Sequence, residues 1–129
     1  MWLSDARHDC PTAAPLRRLD SIGQIDSAVE QSRNAPVLIF KHSITCGLSA
    51  QAYDELLNAL RESSPPIAYV VCVQTDRAVS SAVAQRFGIR HESPQLLVLA
   101  RGRVCWSASH FRVSAPAIRR AMSQLSRLD

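Results

Sequence analysis

No Cys-x-x-Cys pair occurs in the 129 residues; the four cysteines, Cys10, Cys46, Cys72 and Cys105, lie far apart. Their spacing offers no disulfide framework, so each thiol has to be judged singly. His8 and Cys10 are close in sequence, but no four-ligand zinc pattern surrounds them and no metal site is expected. Lysine is almost missing. Lys41 is the only one, and the net charge of +4 rests on arginines scattered along the chain. A nucleic-acid surface needs clustered positive charge, so no nucleic-acid partner is expected. No run of residues approaches the apolar length of a membrane span, and the first residues show no basic leader. A cytoplasmic, monomeric protein without a membrane partner is the expectation.

What is present suits a packed core. A chain that is 47% hydrophobic and 20% charged has the composition of one globular domain able to bury its own interior. Pro11 and Pro15 mark irregular backbone, which predicts a flexible arm over residues 1–15 and a folded domain over 16–129. A short strand is expected at residues 16–19. Ser21 and Gln24 then resemble a capping box, with Ile22, Ile25, Ala28 and Val29 as a helical apolar stripe. The run Pro36-Val37-Leu38-Ile39-Phe40 continues into Lys41-His42-Ser43 without polar alternation, as in a strand covered on both faces.

Leu48, Ala52, Leu56, Ala59 and Leu60 recur at helical spacing until Ser63-Ser64-Pro65-Pro66 ends the pattern. Residues 67–73 read as a second buried strand, followed by an Asp76-capped helix with Val79, Ala82, Val83 and Phe87, closed by Gly88. Residues 95–100 and 104–107 flank Arg101-Gly102, a hairpin turn. A last helix from Ser114 places Ile118, Ala121, Met122 and Leu125 on one face. The sum is an α/β single domain, a mixed four- to five-stranded sheet with helices on both faces.

This pattern puts Cys46 at a helix start. Thiol exchange is carried out by thiolate, and a free cysteine, with pKa near ~8.5, is only slightly ionised at neutral pH. A helix start can stabilise the negative sulfur through the unpaired N–H groups of Gly47, Leu48 and Ser49 and through the Ser49 hydroxyl. Lys41 and His42 could add positive charge if their side chains turn toward the site. Ser49 occupies the position one turn on, where a second cysteine would close an internal disulfide. A hydroxyl cannot form that bond, so an outside thiol would have to finish any exchange.

Three ordered motifs carry a resemblance: Lys41-His42-Ser43-Ile44-Thr45-Cys46-Gly47-Leu48-Ser49, His91-Glu92-Ser93-Pro94-Gln95 and Trp106-Ser107-Ala108-Ser109-His110. Together they resemble the YtxJ-type monothiol bacilliredoxins, and the element order resembles the thioredoxin fold. The resemblance implies a monothiol oxidoreductase in which Cys46 removes bacillithiol from S-thiolated client proteins, with Ser49 at the catalytic site. It implies substrate contacts from Lys41, His42, Thr45, Gly47, Leu48, Ser93 and Pro94, and a cis Ser93-Pro94 bond whose Ser93 backbone pairs with the client. Bacillithiol or another low-molecular-weight thiol would be the cosubstrate, with no tightly bound cofactor. Family members often carry proline after the cysteine. Gly47 resembles instead the Cys-Gly-x-Ser of cluster-binding monothiol glutaredoxins, where a [2Fe-2S] cluster is shared between two subunits. A redox sensor or adaptor is the third reading.

The remaining thiols and imidazoles favour plainer roles. Cys72 is expected to be a small core hydrophobe, Cys105 to pack beside Trp106, and Cys10 to sit in the arm as an incidental or regulatory thiol. His42 and His91 are balanced between hydrogen-bonded structural parts and proton transfer, and His110 is mainly structural. A Cys-His hydrolase would need an oriented third group that the sequence does not offer.

Overall fold

The computed structural model describes residues 10–127. Its elements run β1 (Leu16–Arg18), α1 (Gly23–Gln31), β2 (Val37–His42), α2 (Gly47–Ala59), β3 (Ile67–Cys72), α3 (Arg77–Phe87), β4 (Gln95–Ala100), β5 (Arg103–Ser109), a 3-10 turn at His110–Arg112 and α4 (Ala115–Arg127). The strands form one sheet in the order β1-β3-β2-β4-β5. β1 and β2 both run parallel to β3, whereas β4 runs antiparallel to β2 and to β5. This is the mixed five-stranded α/β architecture expected from the sequence.

The continuous apolar character of β2 has a direct cause. All six of its residues are buried, because helices cover both faces of the sheet. Leu38 and Phe40 join one core layer with Ala52, Leu56, Ala59 and Ile118, beneath α2 and α4. Val37 and Ile39 point the other way and join Ile25, Ala28, Val29, Val79 and Val83, beneath α1 and α3. Strand periodicity of two therefore sorts neighbouring residues into two separate cores.

Local signals mostly act as their chemistry suggests. Gln24 Oε1 accepts from the Ser21 N–H at 2.9 Å, the backward half of a capping box. Ile22, expected in the apolar stripe, is 57% exposed, one residue before α1 begins. Gly88 closes α3 with φ of +62°, a conformation that costs a residue without Cβ little. Arg101 and Gly102 both have positive φ, the backbone of a tight hairpin between β4 and β5.

The largest departure from expectation concerns two cysteines. Cys10 and Cys72, 62 residues apart, are joined in a disulfide. Both are buried, Cys10 against the layer under α2, so neither is a free thiol and Cys72 is not a plain core hydrophobe. Residues 1–9 of the expected arm lie outside the described residues. From Cys10 onward the segment is fastened, with the Ala13 N–H donating to Tyr53 Oη at 3.3 Å and a cis Ala14-Pro15 bond leading into β1. Sequence spacing could not show this pairing, because it depends on where β1 lays the preceding residues against β3.

Candidate active site

β2 ends at His42, α2 begins at Gly47, and residues 43–46 turn between them at one end of the sheet. Cys46 is the N-cap of α2, with an extended backbone at φ −114° and ψ 121°. Its carbonyl accepts from the Ser49 and Ala50 N–H groups, both at 3.1 Å, which starts the helix. The thiol is free and half-exposed. As the sequence indicates, Cys46 stands where a helix begins. The Ser49 N–H, however, is committed to the Cys46 carbonyl, which leaves the N–H groups of Gly47 and Leu48 outside the helical pattern.

Ser49 turns inward rather than toward the sulfur. It is 0% exposed, and its Oγ accepts from the Ser43 N–H at 2.9 Å and lies 2.8 Å from His42 Nδ1. The hydroxyl thus ties the first turn of α2 to the end of β2 and the first residue of the loop. The expected hydroxyl contact to Cys46 is replaced by these two, because position 49 faces the core while Cys46 faces out. His42 is buried against Tyr53 and Phe40, with ring centroids 5.4 and 5.6 Å away. Burial pushes its imidazole below the usual histidine range, so it is neutral near pH 7 and supplies no positive charge.

Lys41 points to the other face of the sheet. Its side chain is 0% exposed, and Nζ lies 2.8 Å from His91 Nδ1. Burial lowers its pKa to about 8, so at neutral pH it is largely an ammonium donating to His91. Burial and then the Lys41 charge lower the His91 pKa, against an opposite pull from Glu92. Lys41 and His42 are neighbours in sequence, yet the pleat sends them into separate networks. Through His91, which is exposed, the Lys41 network reaches the surface.

Ser93-Pro94 is cis, as the resemblance implies. The pairing of Lys41 with Gln95 across β2 and β4 sets the half-buried Ser93 and the buried Pro94 beside the end of β2 that leads to Cys46. The Pro94 carbonyl accepts from the His110 N–H at 3.0 Å, and His110 Nδ1 lies 3.6 Å from Glu92 Oε1. His110 therefore has the structural part expected of it. Thr45 and Gly47 are exposed, and Leu48 is half-buried at the edge of an open cleft shared with Glu92, His110, Phe111 and Arg112. Cys105 is exposed on β5, with its Sγ 3.5 Å from the Ala100 carbonyl.

Gln74 is the residue that sequence reading passed over. Its Oε1 accepts from the Ile44 N–H at 3.1 Å, and its Nε2 donates to Ser43 Oγ at 2.8 Å and Thr45 Oγ1 at 3.2 Å. One amide side chain from the turn after β3 thus fixes three consecutive residues of the cysteine loop. The only available signal was its position two residues past a buried parallel strand, where adjacent strand ends converge.

The five-stranded sheet and a half-exposed thiol at the first crossover helix define a thioredoxin-fold thiol redox protein. Among solved structures, a thioredoxin-fold protein assigned to the oxidoreductases shares 32% identity and has a TM-score of 0.75, covering 82% of this chain and 92% of its own. A thioredoxin from Malassezia sympodialis shares 17% at a TM-score of 0.67, covering 84% and 89%. Thioredoxin O2 from Arabidopsis thaliana shares 17% at a TM-score of 0.67, covering 85% and 93%. Residues 17–118 match the family of the monothiol bacilliredoxin BrxC, and the chain belongs to that family. Among the described residues no helix is long and apolar enough to cross a membrane.

Proposed function

We propose that this protein is a monothiol thiol-disulfide oxidoreductase that removes bacillithiol from protein mixed disulfides. The carrying observation is the pairing of a half-exposed Cys46 at the start of α2 with a buried serine, not a cysteine, at position 49. In the first step the Cys46 thiolate attacks the bacillithiol sulfur of the client disulfide. The client sulfur leaves as thiolate and takes a proton from solvent, and Cys46 is left in a mixed disulfide with bacillithiol. A second bacillithiol thiolate then attacks that bacillithiol sulfur, releasing Cys46 thiolate and bacillithiol disulfide. Ser49 takes no part in either bond. It holds the loop through Ser43 and His42, while Gln74 holds it from the other side.

In this reading the client backbone lies beside Ser93, and the half-buried Leu48 with the exposed Thr45 and Gly47 forms the rim around the sulfur. Lys41 and His42, both enclosed, act as positioning residues. Turnover of a bacillithiolated client by the native protein and its loss in Cys46→Ser is the expected result. Intact mass after separate exposure to bacillithiol disulfide and glutathione disulfide tests the thiol: glutathione addition alone at Cys46 would overturn the choice. Visible absorbance of protein purified without oxygen would favour the shared-cluster reading. Cytoplasmic action belongs to the same proposal. Fractionation of intact cells tests it, and recovery of the protein outside the cytoplasmic fraction would overturn it.

A further inference from the structure

A second polar site lies on the α3 side of the sheet. The N-cap of α3, Asp76, makes no side-chain bond to the helix, because its carboxylate is taken by Arg18, 3.2 Å away. The first N–H groups of α3 therefore lack the capping acceptor that an aspartate usually supplies. Beside them is an open cleft of about 440 Å³ lined by Val73, Gln74, Arg77, Ser80, Ser81 and His91. Ser80 is 3% exposed, and its hydroxyl has no hydrogen-bond partner among the described residues. A buried hydroxyl left in that state is costly and calls for a partner. Arg77 is exposed and makes no hydrogen bond or ion pair among the described residues.

The polar groups lining this cleft are mainly donors: a guanidinium, an imidazole backed by Lys41, two hydroxyls and the helix start. Of the nearby carboxylates, Asp76 is paired with Arg18, and Glu92, which also acts on His91, lies 3.6 Å from His110. We propose that the cleft binds a small oxyanion, a carboxylate or phosphate group, held by the start of α3, Arg77, Ser80 and His91. Gln74 connects this site to the reactive loop, because it lines the cleft and its amide also holds Ser43, Ile44 and Thr45. The oxyanion would come either free from solution or as the carboxylate of the exchanging thiol. The second source rests on the exchange reading above.

Amide chemical-shift titration of the whole protein with inorganic phosphate, and separately with succinate, tests the site directly and needs no turnover. Saturable shifts are expected in Gln74 and Arg77 to Ser81, together with the His91 ring. Arg77→Gln should weaken binding by about tenfold, the scale of one charge-assisted hydrogen bond, and Ser80→Ala by a smaller factor. Arg120→Gln, on α4, should change nothing. The source is then read from exchange kinetics: if the thiol carries the group, Arg77→Gln raises KM for mercaptosuccinate but not for mercaptoethanol. Unchanged KM for both assigns the site to a free oxyanion. Absence of saturable shifts at α3, or equal weakening by Arg120→Gln, would overturn the proposal. Failure of bacillithiol, mercaptosuccinate and mercaptoethanol alike to turn over would sink the exchange reading alone, since the phosphate titration decides the site independently.

Discussion

Lys41 is a charged group held inside the protein, and its removal has a calculable consequence. Its side chain is fully buried, and burial lowers its pKa from 10.5 to about 8. Below pH 8 the amine is protonated in both folded and unfolded chains, and the folded state bears the whole burial cost. Between pH 8 and 10.5 the folded chain gives up the proton first, so native stability rises with pH; above 10.5 the cost is gone. At about 1.4 kcal/mol for each pH unit, the cost near pH 7 comes to about 3 kcal/mol. Lys41→Met keeps an unbranched stem in the same space and leaves His91 free to bond water. The variant should therefore be more stable than the native chain by up to about 3 kcal/mol at pH 7, with the gain vanishing toward pH 10.5. Urea unfolding at pH 7, 9 and 10.5 measures it. A variant that is less stable at pH 7, or a difference that does not change with pH, would refute the reasoning and show that the His91 contact outweighs the buried charge.

Cys10→Ser opens a 62-residue cross-link. The expected loss is about 4 kcal/mol by loop entropy, and the same loss should appear in native protein after full reduction; an unchanged urea midpoint would contradict it. Gly47→Pro should stabilise α2 by about 0.5–1 kcal/mol, because position 47 opens the helix and Cys46 already has the extended backbone that a following proline requires. A Cβ at position 47 meets nothing within 4 Å, so a thermal midpoint that falls would count against this account. Ser49→Ala strands the Ser43 N–H and the His42 ring, which should cost about 1–3 kcal/mol while single-thiol exchange at Cys46 continues. Complete loss of exchange in a folded Ser49→Ala protein would instead place the hydroxyl in the chemistry.

Much of the fold was legible because its signals are local. The apolar run of β2, the helical spacing after Leu48 and the Arg101-Gly102 turn each concern residues within one element or one turn, where backbone periodicity decides the outcome. The place of Cys46 at a helix start follows from the same logic, and Ser49 one turn later shows, without reference to any distant residue, that no second cysteine stands there. The side-chain partners around it were not legible in this way. Asp76 was recognisable as an N-cap, but Arg18 of β1 takes its carboxylate. Ser49 was placed correctly on α2, but only the packing of that helix turns its hydroxyl to His42 rather than to sulfur.

By itself, then, the sequence determined the α/β pattern, the place of a cysteine at the head of α2 and the absence of a second cysteine one turn on. Tertiary structure decided which groups meet across elements. It joined Cys10 to Cys72, set His91 against Lys41 and Ser49 against His42, and brought Gln74 from the turn after β3 onto the cysteine loop. The physical reason is that periodicity fixes which way a side chain points from its own strand or helix, whereas strand register and helix packing fix what it finds there.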